Sequence, residues 1–256
     1  MTESLQPGNA IIRWSIDEKR IAVLTMQDTL RKNVFSHEFV AEFLRNLDEI
    51  EAAEPAVLII RGLEDVFSGG ADKDSLMELA AGKIVVRDLV ISERLINTAF
   101  PVISAMEGHA MGGGLVIGLC SDMVIMANES RYGAVFMNMG FTPGMGTTTL
   151  LPLLFGPFVA SEMMLTGRRY KGKELVEKGA QVNYILPKAE VWAKARDLAL
   201  QIAEKNTKSV YLLKYALSAP KKKLLIEARL QEDMMHHISF GYPETQAIIK
   251  EMYAGK

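Results

Sequence analysis

Short apolar runs alternate with longer amphipathic segments along the first half of the chain. The apolar runs have the length and β-branched content of buried strands, and they lie at 10–16, 21–27, 56–62 and 101–108. Residues 37–53 and 83–98 carry apolar side chains at helical spacing, and Ser36 is placed to cap the first of these helices. Strands that alternate with helices predict an α/β fold with right-handed crossover connections.

The later part of the chain has a different pattern. Two short strands are predicted at 123–127 and 131–135, and only residues 181–186 look extended after them. The other segments have helical periodicity, and they lie at 157–167, 171–179, 188–205, 207–219 and 223–240. The pattern therefore predicts an α/β core over residues 1–190, followed by a helical region over residues 191–256.

The bulk composition is that of a globular protein without a strong charge. The chain has 256 residues, 49% of them hydrophobic, and its formal net charge is −2. This balance gives no reason to expect a nucleic acid or an acidic membrane as a partner. Cys120 is the single cysteine, so no internal disulfide forms, which fits a reducing, cytoplasmic setting. No signal peptide is evident, and no apolar run reaches the roughly 20 residues of a membrane span.

Two glycine-containing turns follow predicted buried strands. They are FSGGAD at 67–72 and GHAMGGGLVIGLCSD at 108–122, which includes a predicted helix over 113–120. The start of a helix leaves backbone N–H groups unpaired and carries partial positive charge. Two such turns side by side could aim two N–H groups at one oxygen, which is the arrangement of an oxyanion hole. Tight packing of a helix against a strand is the alternative explanation of a glycine triplet.

Other chemistries lack their motifs in this sequence. The stretch GMGTTTL at 144–150 has no lysine to complete a phosphate-binding loop, and there is no G-x-S-x-G turn of a serine hydrolase. The histidines have no zinc-ligand spacing and no cysteine pair accompanies them, so we expect no metal site. His109 and Cys120 are interpreted as packing residues.

Three longer stretches resemble the crotonase (enoyl-CoA hydratase/isomerase) superfamily. They are FSGGAD, PVISAMEGHAMGGGLVIGLCSDMVIMANES and MGFTPGMGTTTLLPLLFG, and SEMMLTG and ELVEKG continue the match over nearly the whole chain. The resemblance implies a ββα spiral core with a C-terminal helical region that packs as a homotrimer, or as a hexamer of two trimers. It also implies an acyl thioester whose carbonyl oxygen accepts hydrogen bonds from the backbone N–H groups of Ala71 and Gly113.

The sequence departs from the hydratase pattern at both of its catalytic glutamates. Val116 and Phe136 stand at these positions, and neither side chain can position water or transfer a proton. We therefore reject ordinary hydration and expect an apolar pocket wall formed by Val116, Phe136, Met137 and Met139. Decarboxylation suits such a pocket, because loss of CO₂ makes the enolate without a base and a dry site disfavours the charged carboxylate.

The stretches GHAMGGGLVIGL, NMGFTPGMGTT and EDMMHHISF look most like the decarboxylating crotonase homologues of polyketide β-branching. That likeness implies decarboxylation of a 3-methylglutaconyl thioester, carried by an acyl carrier protein or CoA, to a 3-methylcrotonyl or isomeric product without another cofactor. It places a catalytic histidine at His236 and a loop lysine at Lys83, with Lys73 and Arg87 as substitutes. On a helix the side chain of His237 points about 100° away from that of His236, so we do not expect both to enter the same pocket.

Three further expectations follow from these residues. Ser75 could line the pocket. Lys214 and the run Lys221–Lys223 form either a solvated basic face or a docking patch for an acidic carrier protein. Two other functions stay open: a double-bond isomerase of enoyl thioesters, which needs the same oxyanion hole and one proton shuttle, and an inactive crotonase fold that serves as a scaffold.

Overall fold

The strands of the protein form two sheets. The computed structural model describes residues 2–3, 10–84 and 90–252. The strands in these residues are β1 (Thr2–Glu3), β2 (Ile12–Ile16), β3 (Ile21–Met26), β4 (Val57–Arg61), β5 (Val66–Ser68), β6 (Val102–Met106), β7 (His109–Met111), β8 (Met123–Ala127), β9 (Arg131–Gly133), β10 (Tyr170–Lys171) and β11 (Tyr184–Leu186). The larger sheet has the order β1-β2-β3-β4-β6-β8-β11, and the smaller sheet has the order β10-β9-β7-β5.

Helices connect the strands and form most of the C-terminal part. They are α1 (His37–Ala52), α2 (Lys73–Ala80), α3 (Ile91–Asn97), α4 (Gly113–Cys120), α5 (Thr147–Phe155), α6 (Pro157–Thr166), α7 (Gly172–Glu177), α8 (Lys188–Ala203), α9 (Thr207–Phe240) and α10 (Pro243–Met252). The predicted α/β class with a helical C-terminal region is confirmed. None of the described helices is both long and apolar enough to cross a membrane.

The first helix shows how the sequence determines an element. The Ser36 Oγ accepts a hydrogen bond from the Phe39 amide at 3.2 Å, which satisfies one of the unpaired N–H groups at the start of α1. Phe39, Phe43, Leu47 and Ile50 are buried at intervals of three or four residues, so one face of α1 packs on the core. The helix predicted at 37–53 is therefore correct to within one residue.

The central strand β4 is buried on both faces of the larger sheet. It pairs in parallel with β3 and β6. Leu58 and Ile60 belong to the main core cluster, whereas Val57 and Ile59 face the other way and pack in a second cluster that includes buried residues of α8. This helix therefore covers one face of the sheet, and the predicted domain boundary after residue 190 falls within it.

The smaller sheet brings the two glycine turns together. Strands β5 and β7 are parallel neighbours, with Val66 opposite His109 and Ser68 opposite Ala110. Because parallel strands end at the same edge of a sheet, the turns that follow them lie side by side. One turn leads into α2 and the other into α4, so two helix starts meet at this edge.

Several helices differ from the sequence-based expectation. The segments predicted at 207–219 and 223–240 are one helix, α9, with Pro220 inside it. Both flanks of the proline are fastened to the α4 region, because Lys214 pairs with Asp122 and Lys221 binds carbonyl oxygens of Leu119 and Ser121. Helices α5 and α10 were not expected. The helix predicted at 83–98 is shorter, since α3 begins at Ile91.

Candidate active site

The turn that contains Ala71 rests directly against the start of α4. Gly70 has a φ of +84°, and a Cβ added there would lie 2.5 Å from the Met111 carbonyl oxygen and 3.5 Å from the Gly113 nitrogen. Only glycine accepts both the left-handed backbone and this close approach. The two turns that the sequence singles out are therefore in contact.

The amides of Ala71 and Gly113 are free to bind a ligand. Gly113 is the first residue of α4, so its N–H group has no partner within the helix. The neighbouring amides are already used: Gly70 donates to the Ser68 Oγ at 3.2 Å, and Gly112 donates to the Gly133 carbonyl oxygen at 2.8 Å. Within the described residues, neither the Ala71 nor the Gly113 amide donates to another protein group.

A cavity of about 280 Å³ opens beside these two amides. Its wall is largely apolar and includes Phe35, Leu79, Phe136, Met139, Phe141 and Met145. No aspartate or glutamate is among the described residues that line it, and its ionisable side chains are Arg169 and His236. The volume is close to the lower end for small-molecule sites and suits a short acyl group.

The backbone at Gly113 must stay bare for this cavity to form. A Cβ added there would lie 2.5 Å from the Phe35 Cε2 and 2.9 Å from the Met145 Sδ, both on the cavity wall. The adjacent Gly114 must be glycine for a different reason, because a Cβ added there would overlap the backbone and the side chain of Ser68. Both explanations of the triplet therefore apply, one to each glycine.

His236 lies in α9 with its ring against the cavity and only 6% of its surface exposed. Its Nε2 donates to the Thr142 carbonyl oxygen at 2.7 Å, which keeps the proton of the neutral ring on that nitrogen. The Nδ1 is buried without a hydrogen-bond partner among the described residues. Burial lowers the pKa of His236, although the hydrogen bond to Thr142 and the charge of Asp233 oppose the shift. The ring is therefore neutral at pH 7.

A second buried residue of α9 binds the turn that carries Met145, one of the residues on the cavity wall. Glu232 is 1% exposed and accepts hydrogen bonds from the Gly146 amide at 2.6 Å and from the Thr148 amide and hydroxyl at 2.8 and 2.7 Å. These donors lie at the start of α5, where a negative charge is favourable. Burial raises the pKa of Glu232, and its hydrogen bonds oppose this shift. Glu232 thus fixes the turn that carries Met145.

Residues 17–254 match the family model described as enoyl-CoA hydratase/isomerase. The chain belongs to this family. The resemblance that the glycine turns carry is therefore confirmed, and the free amides of Ala71 and Gly113 lie on the turns on which that resemblance placed the family's oxyanion hole.

Relatives within the enoyl-CoA hydratase/isomerase family include decarboxylases. The bacillaene synthase decarboxylase PksI of Bacillus subtilis is 36% identical over 92% of this chain and 95% of its own. A solved structure from a dehydratase/decarboxylase enzyme couple involved in polyketide β-branching has a TM-score of 0.93 and 34% identity, and the match covers 98% of this chain and 100% of that one. The ECH2 decarboxylase domain of CurF from Lyngbya majuscula has a TM-score of 0.88 and 31% identity, with coverage of 96% and 100%.

The structure places the residues expected on the pocket wall in different environments. Phe136 and Met139 line the cavity of this family member, whereas Val116 and Met137 are not on it. Val116 is fully buried in α4, and Met137 is 41% exposed on the 3₁₀ helix Val135–Met139. The contribution of these two residues to the substrate pocket stays a prediction.

Lys83 lies outside the cavity on the C-terminal side of α2. Its side chain is exposed, between Gly82 and Ile84, which line an outer cleft of about 450 Å³ between α2 and α9. This cleft and the acyl cavity share Leu79 and His236. Lys73 lines a different outer groove, and Arg87 lies outside the described residues.

Other candidates are structural. Lys214 is 4% exposed and binds Asp122 at 2.7 Å, and the Lys221 ammonium donates to the Leu119 and Ser121 carbonyl oxygens at the end of α4. The proposed docking patch was therefore wrong for both lysines. The Ser75 hydroxyl donates to the Phe35 carbonyl oxygen and does not line the cavity. Cys120 is buried, and this burial raises the pKa of its thiol to about 11.

Several residues that line the cavity were not expected from the sequence, and Arg169 is the charged one among those described. It lines the acyl cavity and also a cleft on the neighbouring surface. The alternation of Arg169, Tyr170 and Lys171 is typical of a half-buried strand, but it does not indicate that Arg169 lies against the cavity. In the described part of the chain, no group of three or more histidine, cysteine, aspartate or glutamate residues is arranged to hold a metal ion.

Proposed function

We propose that this protein decarboxylates a 3-methylglutaconyl thioester, carried by an acyl carrier protein or CoA, to a 3-methylcrotonyl thioester or its double-bond isomer. The observation that carries the proposal is the cavity itself, which joins two free amides to an apolar wall, with no carboxylate among the described residues that line it. Hydration needs such a carboxylate, whereas decarboxylation does not. The decarboxylases among the relatives support the same reaction.

The reaction needs charge stabilisation at one oxygen. The bond to the carboxylate carbon breaks, CO₂ leaves, and the electron pair moves through the conjugated acyl group to the thioester oxygen. The N–H groups of Ala71 and Gly113 stabilise the charge that develops there. A proton then adds to carbon, and the thioester remains intact. The apolar wall supports the first step, because it favours CO₂ over the charged carboxylate.

His236 and Lys83 have separate roles in this proposal. The His236 Nε2 is committed to Thr142, so its Nδ1 is the atom that orients or protonates the dienolate. Negative charge on the dienolate favours the protonated ring despite the lowered pKa. Lys83 engages the departing carboxylate from the outer cleft, to which the neighbouring Gly82 and Ile84 contribute.

The arm that carries the acyl group lies in an outer groove of about 780 Å³. This groove shares Gly69 and Ala71 with the acyl cavity, and its charged side chains are the cations Arg31, Lys32 and Lys73 and the carboxylates Glu38, Asp72 and Asp74. A phosphopantetheine arm has an amide chain, which polar side chains of either charge can bind, and a phosphate, which the three cations can bind. We therefore infer a thioester carried on this arm, in the cytoplasm, without a further cofactor.

We also propose that the protein is a homotrimer, or a hexamer of two trimers. Ile226, Leu230, Met234 and Ile238 recur every fourth residue on α9 and are each 52–68% exposed. A continuous apolar stripe of this kind marks an interaction surface in soluble proteins. The helical region over 191–256 thus joins copies of the chain.

Mass spectrometry of the acyl thioester tests the proposed reaction. Incubation of 3-methylglutaconyl-pantetheine with the protein should shift the acyl group by the mass of CO₂. The Lys83→Met variant should lose this activity, while Lys19→Met, at an exposed position away from the site, should keep it. An unchanged substrate mass would contradict decarboxylation. Turnover of an enoyl thioester without a carboxylate, with no CO₂ loss from the first substrate, would instead identify an isomerase.

A further inference from the structure

A cleft of about 800 Å³ on the surface beside the acyl cavity is lined mainly by cations. We call it the basic cleft, and its charged residues are Arg131, Arg168, Arg169, Lys171, Lys173, Glu174 and Glu177. Five positive charges face two negative ones, although the whole chain has a net charge of −2. The positive charge is therefore concentrated at this place.

Two cations of the basic cleft come from one face of two paired strands. In the antiparallel pair of β9 and β10, Tyr132 lies opposite Tyr170 and Arg131 lies opposite Lys171. Both tyrosines are fully buried, so the two cations share the outer face. Like charges directly opposite each other on a sheet destabilise the fold. Folding alone gives no reason for this pair.

Two more cations lack local compensation. Lys173 stands in the first turn of α7, where a positive charge interacts unfavourably with the helix dipole. Arg168 forms ion pairs with Glu174 at 3.5 Å and Glu162 at 3.9 Å, whereas Arg169 forms no ion pair with any described residue. Local conflicts of this kind are typical of functional surfaces rather than of structural ones.

The field of these cations reaches the neighbouring residue His109. Its pKa is lowered, first by burial and then by the charges of Lys188, Arg131 and Arg169. Its Nδ1 accepts a hydrogen bond from the Arg131 amide at 2.9 Å, so it lies at the edge of the basic cleft.

Contacts connect the basic cleft to the groove of the thioester arm. The His109 amide donates to the Asp65 carbonyl oxygen at 2.9 Å, and the Asp65 carboxylate pairs with Lys32 at 3.2 Å. Lys32 lines the groove of the arm, and Arg169 lines both the cleft and the acyl cavity. A partner on the cleft is thus next to the path by which its acyl group enters.

We propose that the basic cleft is the docking surface for an acidic carrier domain that brings the acyl thioester. This inference rests on the proposed function and specifies its partner. Glu174 lies close enough to feel the charges of Arg131 and Lys171, but none of Arg131, Lys171 and Lys173 forms an ion pair with a described side chain. A carrier with acidic side chains and a phosphate-linked arm supplies further negative charge for these three cations. Charge complementarity of this kind accelerates encounter and selects the partner. The basic cleft thus takes the place of the docking patch expected at Lys214 and Lys221, because the ammonium groups of these two lysines are bound within the fold.

Charge reversal tests the docking surface. The variant Arg131→Glu/Lys171→Glu/Lys173→Glu should lower kcat/KM at least about tenfold for an acidic acyl carrier protein loaded with the 3-methylglutaconyl group. Its kcat/KM for the pantetheine thioester of the same acyl group should stay within about twofold, because that substrate has no protein surface to dock. Lys19→Glu/Lys205→Glu/Lys208→Glu is the matched control, with the same change of net charge at exposed positions elsewhere.

Calorimetric titration with the carrier bearing a 3-methylglutaryl group, which cannot lose CO₂ by the same route, separates docking from chemistry. Weaker binding to the first variant than to the control supports the proposal, even if the wild-type protein shows no decarboxylation. Equal carrier affinity of wild type and both variants would overturn the docking surface and leave the proposed reaction standing. Loss of the oligomer in the first variant alone, by sedimentation, would also overturn it, because the cleft would then be a contact between copies.

Discussion

At the scale of single residues, Gly113 has no room for a side chain next to its free amide. In Gly113→Ala, the new methyl group would meet Phe35 and Met145 and displace the amide from the oxyanion position. We expect kcat/KM for CO₂ release to fall by about 10²-fold, the usual consequence of losing one oxyanion donor. A coupled CO₂ assay on the folded variant measures this loss.

Gly118→Ala is the matched control for that change. Its methyl group would overlap Met106 in the core from the same helix, α4, but away from the cavity. This variant should lose stability and keep the kcat/KM of its folded fraction. If both variants lost the same share of kcat/KM, disruption of α4 rather than the amide position would explain the result.

His236 predicts a pH dependence of stability. Its folded-state pKa is lowered from the usual 6.5 by burial, so the unfolded chain binds a proton more readily. The stability that neutral His236 contributes is thus present above about pH 6.5 and is lost as the pH falls. His236→Gln should show a smaller decrease of Tm between about pH 7.5 and 5.5 than the wild type.

The difference in Tm between the wild type and His236→Gln isolates the contribution of His236 to the pH dependence. Glu232 has a raised pKa and acts in the opposite direction, because its contribution increases as the pH falls, but both proteins contain it. Scanning calorimetry at several pH values gives the two Tm curves. Parallel curves for wild type and His236→Gln would contradict the lowered pKa.

The sequence could predict these residues because they belong to local motifs. Ala71 and Gly113 stand on glycine turns, and His236 is in a recognisable stretch of a helix. Arg169 could not be placed in the same way. Its relation to the cavity depends on the pairing of β9 with β10 across the 36 residues of intervening chain at 134–169, and no local pattern contains that information.

At the scale of elements, the contact between α9 and the turn before α5 controls the site. In Glu232→Gln, one of the two carboxylate oxygens becomes an NH₂ group that faces an amide donor of Gly146 or Thr148. The turn that carries Met145 should shift, and with it the Thr142 carbonyl that orients His236. We expect kcat to fall about tenfold or more with little change in KM, and stability to fall by about 1–3 kcal/mol.

Steady-state kinetics and the ratio of double-bond isomers among the products measure this effect. Glu227→Gln makes the same chemical change on an exposed position of α9 and should leave both unchanged. Thr148→Val removes only one of the three hydrogen bonds and should have an intermediate effect. A stability loss in Glu232→Gln with an unaltered kcat and product ratio would limit Glu232 to a structural role.

The elements also show where local patterns mislead. Pro220 and the lysines after it look like a break between helices, yet α9 continues because α4 binds both flanks. The stretch TTTLLPLLF has three threonines and a proline, which are unfavourable in helices, but Glu232 satisfies amides at its start. Both results depend on residues far away in the sequence.

At the scale of the whole molecule, the apolar stripe on α9 predicts an assembly. Leu230 is 68% exposed at the middle of the stripe. Leu230→Lys should convert the proposed trimer or hexamer into monomers, because a charged side chain would be buried unpaired at the contact. Sedimentation equilibrium measures the mass, and Glu227→Lys, on the same helix but off the stripe, should leave it unchanged. A monomeric wild-type protein would exclude the assembly.

One consequence follows from the arrangement of α9. Glu232 and His236 face the cavity turn, and Leu230 and Met234, two residues before each, lie about 200° around the helix, on nearly the opposite side. The same helix therefore carries the histidine that lines the cavity on one side and the surface for the proposed neighbouring subunit on the other. The proposed assembly should therefore affect catalysis. Dilution that dissociates the subunits should loosen α9, so the activity per molecule should fall as the protein concentration is lowered.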